Sequence, residues 1–461
     1  MNRSKSVVAF TLTTTSLLFA GSVCAYLFRP GILKNVNIIA DVMRTPAAKT
    51  GKTAVTKNIS GTKAPPGAKA GPLAFERYTM SDTIIDFRSE TALPAFMQKL
   101  VQVKKKERKM VRIAWLGDSI IEGDLLTQTV RRQLQQMFGG FGVGFVPAQS
   151  VVAQNRTTVR HSWTGDWTEE TFRDKKTAAP LFLSGHTYYT ENGSITLKDA
   201  TGKDSAGILK KYLVCGRAEG KMSVTVNGQE KLFEPAGVIN RILLDSSAQA
   251  AINVQVHNKE LPVYGISLEP SEGVVVDNFS FRGITGVELA KLDTTLLQRL
   301  SGNDGYDLVV LEYGANLMFR PDDVDYSWYE RHMHTTLEKL RKAMPGTEFL
   351  LVSTADRAFR YGEQWQSAVG IDSLVLTQAR LARDNGTAFY NMYTSMGGPN
   401  TIVSWATATP SLANKDYIHP NQRGAEVLGN QLFRAFLNAY RKAAVNDSSI
   451  QQQKNTSAVQ L

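Results

Sequence analysis

The sequence predicts an α/β fold in which a three-layer domain built on a parallel sheet is interrupted by an antiparallel β-sandwich. Three observations carry this reading. The apolar run at residues 111–116 gives a short strand, and residues 125–138 place apolar side chains at helical spacing, so a strand, loop, helix unit opens the domain. From 139 to 277 no helical periodicity survives, and short alternating runs succeed one another between turn residues. After Gly286 helix and strand alternate again almost to the C-terminus.

Taken in order, the chain begins with Arg3 and Lys5 followed by a stretch from 7 to 28 without a charge. Residues 1–28 are expected to be a signal peptide cut after Ala25 or a single membrane anchor, and either one exports the rest to the periplasm. Cys24 lacks the residues that precede a lipidated cysteine. Residues 29–72, rich in Lys, Thr, Ala, Gly and Pro, cannot bury enough apolar surface to offset their ordering entropy and read as a flexible basic linker. Residues 73–138 form the first part of the α/β domain. Residues 139–277 form the insert, with strands at 194–197, 210–215, 222–226, 241–244, 251–256 and 263–268 and a hairpin turn at Asn227-Gly228. The glycine-rich run Gly139, Gly140, Gly142 and Gly144 lacks the Lys-Ser/Thr of a phosphate-binding loop and reads as a flexible lead into the insert. Residues 278–445 complete the α/β domain: helix 287–300, strand 306–311, helix 326–344, strand 348–352, helix 364–384, strand 388–391 and helix 421–442. The tail 446–461 is expected to be disordered.

Composition narrows the function classes. A chain of 461 residues is long enough for two or three units of about 100 to 200 residues each. It holds two cysteines, Cys24 and Cys215, so an exported chain cut after Ala25 has no intramolecular disulfide, and Cys215 reads as a buried apolar residue. The formal net charge is +11. An exported chain meets no nucleic acid, so the basic run from Lys104 to Lys109 reads as a solvated face or as attraction to an anionic envelope surface. His332 and His334, two apart on a helix, fall on different faces, and no histidine pair has metal-ligand spacing; neither metal nor cofactor is expected.

Chemistry concentrates at three places. Ser119 follows the first strand in Gly117-Asp118-Ser119; Asn316 follows another in Gly314-Ala315-Asn316; His419 stands three residues after Asp416 near the C-terminus. A serine hydroxyl is a poor nucleophile at neutral pH and needs an adjacent base, commonly an imidazole oriented by a carboxylate. His419 is the candidate base and Asp416 its orienting partner. The backbone N–H groups of Ser119 and Gly286 and the side-chain amide of Asn316 are candidate oxyanion donors. Asp118 reads as a local turn cap. Trp163, Trp167, Tyr188 and Tyr189 fit either a sugar platform in the insert or its packing.

The order Gly-Asp-Ser, a glycine block, Gly-x-Asn and Asp-x-x-His resembles the SGNH/GDSL hydrolase superfamily over roughly residues 108–441, with Ser119, Gly286, Asn316 and His419 as its signature residues. The resemblance implies a flavodoxin-like three-layer SGNH hydrolase domain. With a carbohydrate-binding-module-like insert at this point of the chain, it resembles the periplasmic peptidoglycan O-acetylesterases, which often carry His after the nucleophile where this chain has Ile120. It implies a serine esterase that removes O-acetyl groups from a cell-envelope polysaccharide, most of all peptidoglycan. A polysaccharide O-acetyltransferase with the same triad and a catalytically silent glycan-binding protein remain alternatives. Oligomeric state is not readable from these residues.

Overall fold

The computed structural model describes residues 75–201, 207–302 and 305–459. The segments expected as signal or anchor and as linker, 1–72, lie outside the described residues. The chain enters through β1 (Ile85–Asp86) and α1 (Pro94–Lys104), then runs through β2 (Met110–Gly117) and α2 (Thr127–Phe138). β2 is buried on both faces because its alternate residues feed two cores: Val111, Ile113 and Trp115 on one side, Ala114 and Leu116 on the other.

Eleven antiparallel strands follow: β3 (Gly144–Pro147), β4 (Val159–Thr164), β5 (Thr168–Thr171), β6 (His186–Tyr189), β7 (Gly193–Asp199), β8 (Leu209–Cys215), β9 (Met222–Val226), β10 (Gln229–Phe233), β11 (Asn240–Ser247), β12 (Ala251–Val256) and β13 (Val263–Glu269). They form two sheets, ordered β10-β9-β12-β7-β4 and β11-β8-β13-β6-β5 with β3 on β13. Ile195, Leu197, Leu213, Val254 and Ile266 fill the space between them. Asn227 and Gly228, at φ 49° and 86°, make the turn between β9 and β10, and Cys215 is fully buried in this core.

The chain then returns through β14 (Gly273–Ser280), α3 (Thr294–Arg299), β15 (Leu308–Glu312), α4 (Ser327–Ala343), β16 (Glu348–Val352), the hairpin of β17 (Ala358–Tyr361) and β18 (Gln364–Ser367), α5 (Ile371–Asn385), β19 (Ala388–Tyr390), α6 (Met392–Met396), α7 (Thr401–Thr407) and α8 (Gln422–Val459). The main sheet has the order β1-β19-β16-β15-β2-β14 and is parallel except for β1 on β19. Phe96, Val130 and Leu432 from α1, α2 and α8 cover one face. Leu296, Leu337 and Leu374 from α3, α4 and α5 cover the other. The protein is thus a three-layer α/β domain carrying a β-sandwich. No helix among the described residues is long and apolar enough to cross a membrane.

Several boundaries differ from those expected. β14 starts at Gly273 and pairs with β2 in parallel, so the sandwich strands end at Glu269 and not at 277. The run Gly273-Val-Val-Val is buried on both faces, as a parallel strand requires and a half-exposed sandwich strand does not. The helix expected at 287–300 splits into a 3-10 turn, Val287–Lys291, and α3, because Asp293 accepts from Leu296 N and caps a new start. The first residues of the helix expected at 364–384 form β18 instead. The last helix does not stop at 442: with no Gly or Pro after Gly429, residues 446–459 continue it where a disordered tail was expected, and Lys105 Nζ meets Asp447 Oδ2 at 2.5 Å.

The glycine run into the sandwich is packed rather than flexible. A Cβ at Gly144, which sits at φ 69°, would lie 2.2 Å from Asp277 Oδ1, the atom that accepts from Phe145 N at 2.7 Å. Two buried ion clusters hold the sandwich to the sheet domain. Asp124 takes both guanidinium arms of Arg131 at 2.6 and 2.8 Å, and Arg156 from the sandwich side at 3.3 Å. Glu269, on β13, takes Arg112 of β2 at 2.6 Å and pairs with Arg241. Burial alone would raise both carboxyls; the facing guanidiniums outweigh it, holding Glu269 down to about 2 and Asp124 far below its usual range.

Candidate active site

Ser119 lies two residues beyond the C-terminal end of β2, which runs between β15 and the edge strand β14, where the backbone turns before α2. Open α/β sheets place their chemistry at this edge. The chain must turn sharply here: Gly117 lies so close to β15 that a Cβ on it would stand 2.8 Å from Glu312 O. Ser119 Oγ is 2.8 Å from His419 Nε2, and His419 Nδ1 is 2.8 Å from Asp416 Oδ2. Three residues separated by about 300 positions in the chain therefore form one continuous hydrogen-bonded row.

The Asp416 to His419 loop is built to hold that row. Asp416 Oδ1 accepts from Ile418 N at 2.9 Å and from His419 N at 3.1 Å, while Oδ2 faces the ring. Tyr417 adopts φ 56°, which lets Asp416 and His419 turn towards each other, and its carbonyl accepts from Ala358 N at 3.0 Å. Trp365 of β18 stacks on the Tyr417 ring at 4.2 Å. Burial pushes the Asp416 carboxyl up, but the bonds from Ile418 N–H and from His419 outweigh it and hold it below the usual range. It therefore stays ionised and fixes the proton of the imidazole on Nδ1, leaving Nε2 to accept from Ser119.

Asn316 reaches the residue beside Ser119, and Gly286 stands two residues after Ile284, whose carbonyl Asn316 also binds. Gly286, at φ 94°, sits against Tyr313: a Cβ there would lie 2.8 Å from the ring. Among the described residues no protein acceptor takes the backbone N–H of Ser119 or of Gly286. Asn316 is differently placed. Its Nδ2 donates to Asp118 Oδ2 at 3.0 Å and to Ile284 O at 2.9 Å, which commits both amide hydrogens. It reaches a substrate oxygen only by sharing or releasing one of these bonds. Asp118 does cap its own turn, accepting from Ile120 N at 3.0 Å, but its second oxygen tethers Asn316. Burial pushes Asp118 up to about 6 against the lowering effect of Ile120 N–H, the nearby His419 and Asn316.

Three supports were missed in the sequence. Arg357 Nη1 donates to Ala315 O at 2.6 Å and so pins the turn between Gly314 and Asn316. Gln378, fully buried, donates to Tyr313 O at 2.7 Å and accepts from Thr354 N at 2.9 Å. Glu312, the last residue of β15, is buried with one oxygen on Trp115 Nε1 at 2.8 Å and the other without a partner. The charged residue ending an otherwise apolar strand, Leu308-Val-Val-Leu-Glu312, was the one available signal. Of the aromatics considered for a sugar platform, Tyr188 is buried with its hydroxyl on Gln149 O, Trp167 packs on Gly193, Tyr189 bonds Glu170, and Trp163 stays partly open.

No protein-family model matches the chain, and no curated protein matches it by sequence. A solved structure described as a peptidoglycan O-acetylesterase in action matches at 25% identity, over 76% of this chain and 96% of its own, with a TM-score of 0.64. An acetylxylan esterase from Geobacillus stearothermophilus matches 37% of this chain and 74% of its own at 17% identity and TM-score 0.28. A lipase/acylhydrolase from Enterococcus faecalis matches 35% and 75% at 19% and 0.27. The last two are too partial to carry argument. The first spans sheet domain and sandwich together; with the motif order, the fold is that of the SGNH/GDSL hydrolases with an added domain, and the enzyme class is a carboxylic ester hydrolase.

Proposed function

We propose that the protein removes O-acetyl groups from a cell-envelope polysaccharide, peptidoglycan before others, by a Ser-His-Asp mechanism. The observation that carries this is the row Ser119 Oγ, His419 Nε2, His419 Nδ1, Asp416 Oδ2, with 2.8 Å at each contact. Ser119 attacks the acetyl carbonyl as His419 takes its proton, and Asp416 stabilises the imidazolium that results. The oxyanion meets the N–H groups of Ser119 and Gly286 and, once a bond to Asp118 or Ile284 is shared, the Asn316 amide. His419 returns the proton to the departing sugar hydroxyl, leaving acetyl-Ser119. Water, deprotonated by His419, then releases acetate.

Peptidoglycan as the substrate is supported by the 0.64 match, whose subject acts in that role, and by a charge-free segment after Arg3 and Lys5 that fits export to the periplasm, with or without anchoring. The test is acetate release by the full-length protein and by Ser119→Ala, from O-acetylated peptidoglycan and from acetylated xylan in parallel. Serine-dependent release from peptidoglycan is expected. Release from xylan alone moves the substrate and keeps the mechanism; undiminished release by Ser119→Ala overturns the mechanism.

A further inference from the structure

Arg357 stands between the two halves of the site. Its Nη1 donates to Ala315 O at 2.6 Å, beside Asn316, and the next residue, Ala358, donates its N–H to Tyr417 O at 3.0 Å, between Asp416 and His419. The backbone that carries it is anchored on both sides: Asp356, fully buried, accepts from Ser367 Oγ at 2.6 Å and from Ile402 N at 2.9 Å, and Ala368 N donates to Arg357 O at 2.8 Å. The guanidinium rests on the Phe359 ring at 4.6 Å. Its charge is not neutralised. Arg131, Arg156 and Arg112 each pair with a carboxylate, whereas among the described residues none pairs with Arg357, Nε is enclosed without an acceptor, and Nη2 has no acceptor either. Burial pulls Arg357 below its usual range, and Asp416, Tyr326 and Asp118 pull the other way without overcoming it. Those two carboxylates belong to the site, Asp416 on His419 and Asp118 beside Ser119, so the unpaired cation lies in the field of both.

We propose that Arg357 is a specificity residue of this site, binding through Nη2 a carboxylate that the polysaccharide carries near the acetylated sugar hydroxyl. The inference rests on the esterase reading above. A desolvated cation without a partner is costly to keep, and each such group calls for an explanation. Holding the Ala315 turn does not supply one, because a single N–H donor suffices for Ala315 O and a neutral amide carries it. A guanidinium leaves the second arm over, with two N–H groups in a plane that suits a carboxylate. Arg357 is partly exposed, so that arm is open to a ligand. Peptidoglycan offers the matching group in two places, on the lactyl ether of its muramic acid when no peptide is attached and on the stem peptide when one is.

The experiment measures kcat/KM of the full-length protein, of Arg357→Gln and of Arg357→Lys on O-acetylated peptidoglycan, intact or stripped of its peptides by amidase, each with its carboxylates free or converted to amides. The parent is expected to prefer a free form over its amidated form about tenfold, the scale of one hydrogen bond to a charged group. Arg357→Gln is expected to lose that preference and Arg357→Lys to keep part of it, since lysine supplies the charge without the fork. The preference is a ratio within one variant, so a loosened Ala315 turn or a smaller folded fraction cancels. Preference on the stripped strands assigns the carboxylate to the lactyl group; preference on the intact material alone assigns it to the stem peptide. An equal loss by Arg357→Gln on free and amidated forms, or a preference that survives in it, overturns the proposal and leaves Arg357 a support of the Ala315 turn. The same forms are titrated calorimetrically into Ser119→Ala with and without Arg357→Gln, which separates this proposal from the esterase reading. A carboxylate preference in binding that depends on Arg357 upholds the anion contact even where no form releases acetate, and its absence there overturns it.

Discussion

Asp118 Oδ2 accepts a 3.0 Å hydrogen bond from Asn316 Nδ2, joining the residue beside Ser119 to the amide expected at the oxyanion. The bond aims the amide, and it also competes with the substrate for it. Asn316→Ala is expected to lower kcat on acetyl esters about 100-fold with little change in KM, as loss of an oxyanion donor does. Asp118→Asn leaves Asn316 in place but exchanges its charged acceptor for a neutral amide, and a smaller loss, about tenfold in kcat, is expected. Steady-state kinetics of both variants and of the double variant check this. Losses that multiply in the double variant, as independent sites do, would mean that the bond does not act on catalysis.

Asp416→Asn should keep the Tyr417 turn, because the amide oxygen still accepts from Ile418 N and His419 N, yet it removes the charge that fixes the ring. Loss of the orienting carboxylate in such a row costs on the order of 10⁴ in kcat. That factor is expected here with the thermal midpoint nearly unmoved, read by kinetics and calorimetry on one preparation. A loss below about tenfold would mean that another group orients His419.

The hydrogen-bonded row of Ser119, His419 and Asp416 was legible because a serine, histidine and aspartate stand in a particular order in the chain. The supports were not. Arg357 acts on Ala315 O through a tertiary contact, and Gln378 is a polar residue on a helix whose burial depends on packing against β15 and β16. Nothing local separates either from a surface residue. Helix spacing at 364–384 hid the β17 and β18 hairpin because Trp365 and Ala368 suit both periods, and only the strand pairing of Ala358 with Ser367 decides between them. The late start expected for the second part of the sheet domain, at 278, came from the same ambiguity: an all-apolar run such as 273–276 looks alike in a sandwich and in a parallel sheet.

Gly286→Ala tests a conformation and a site together. The residue sits at φ 94°, and the added methyl would stand 2.8 Å from a carbon of the fully enclosed Tyr313 ring. Backbone strain and the clash are expected to cost about 1 to 3 kcal/mol of stability. The N–H it carries would shift as well, so kcat should fall even at temperatures where the variant is fully folded. Denaturant unfolding together with kinetics checks both. A stable variant with unchanged kcat would remove Gly286 from the oxyanion site.

Glu312 gives the protein a pH dependence that one substitution should erase. Burial pushes its carboxyl up to about 8 from 4.5, with the bond from Trp115 lowering it and the Asp118 charge raising it further. Between those two values the folded chain holds a proton that the unfolded chain has released, so stability falls as pH rises, by about 1.4 kcal/mol per unit from this group alone. Above about 8 both states have lost the proton and the penalty is constant. Glu312→Gln cannot ionise, and its amide oxygen can still accept from Trp115 Nε1. The variant is therefore expected to match the parent near pH 4.5 and to exceed it in thermal midpoint at pH 8, with the gap opening across that interval. Other titrating groups are common to both proteins and cancel in the difference. Parallel midpoint curves from pH 5 to 8 would show that Glu312 keeps an ordinary carboxyl pKa in the fold.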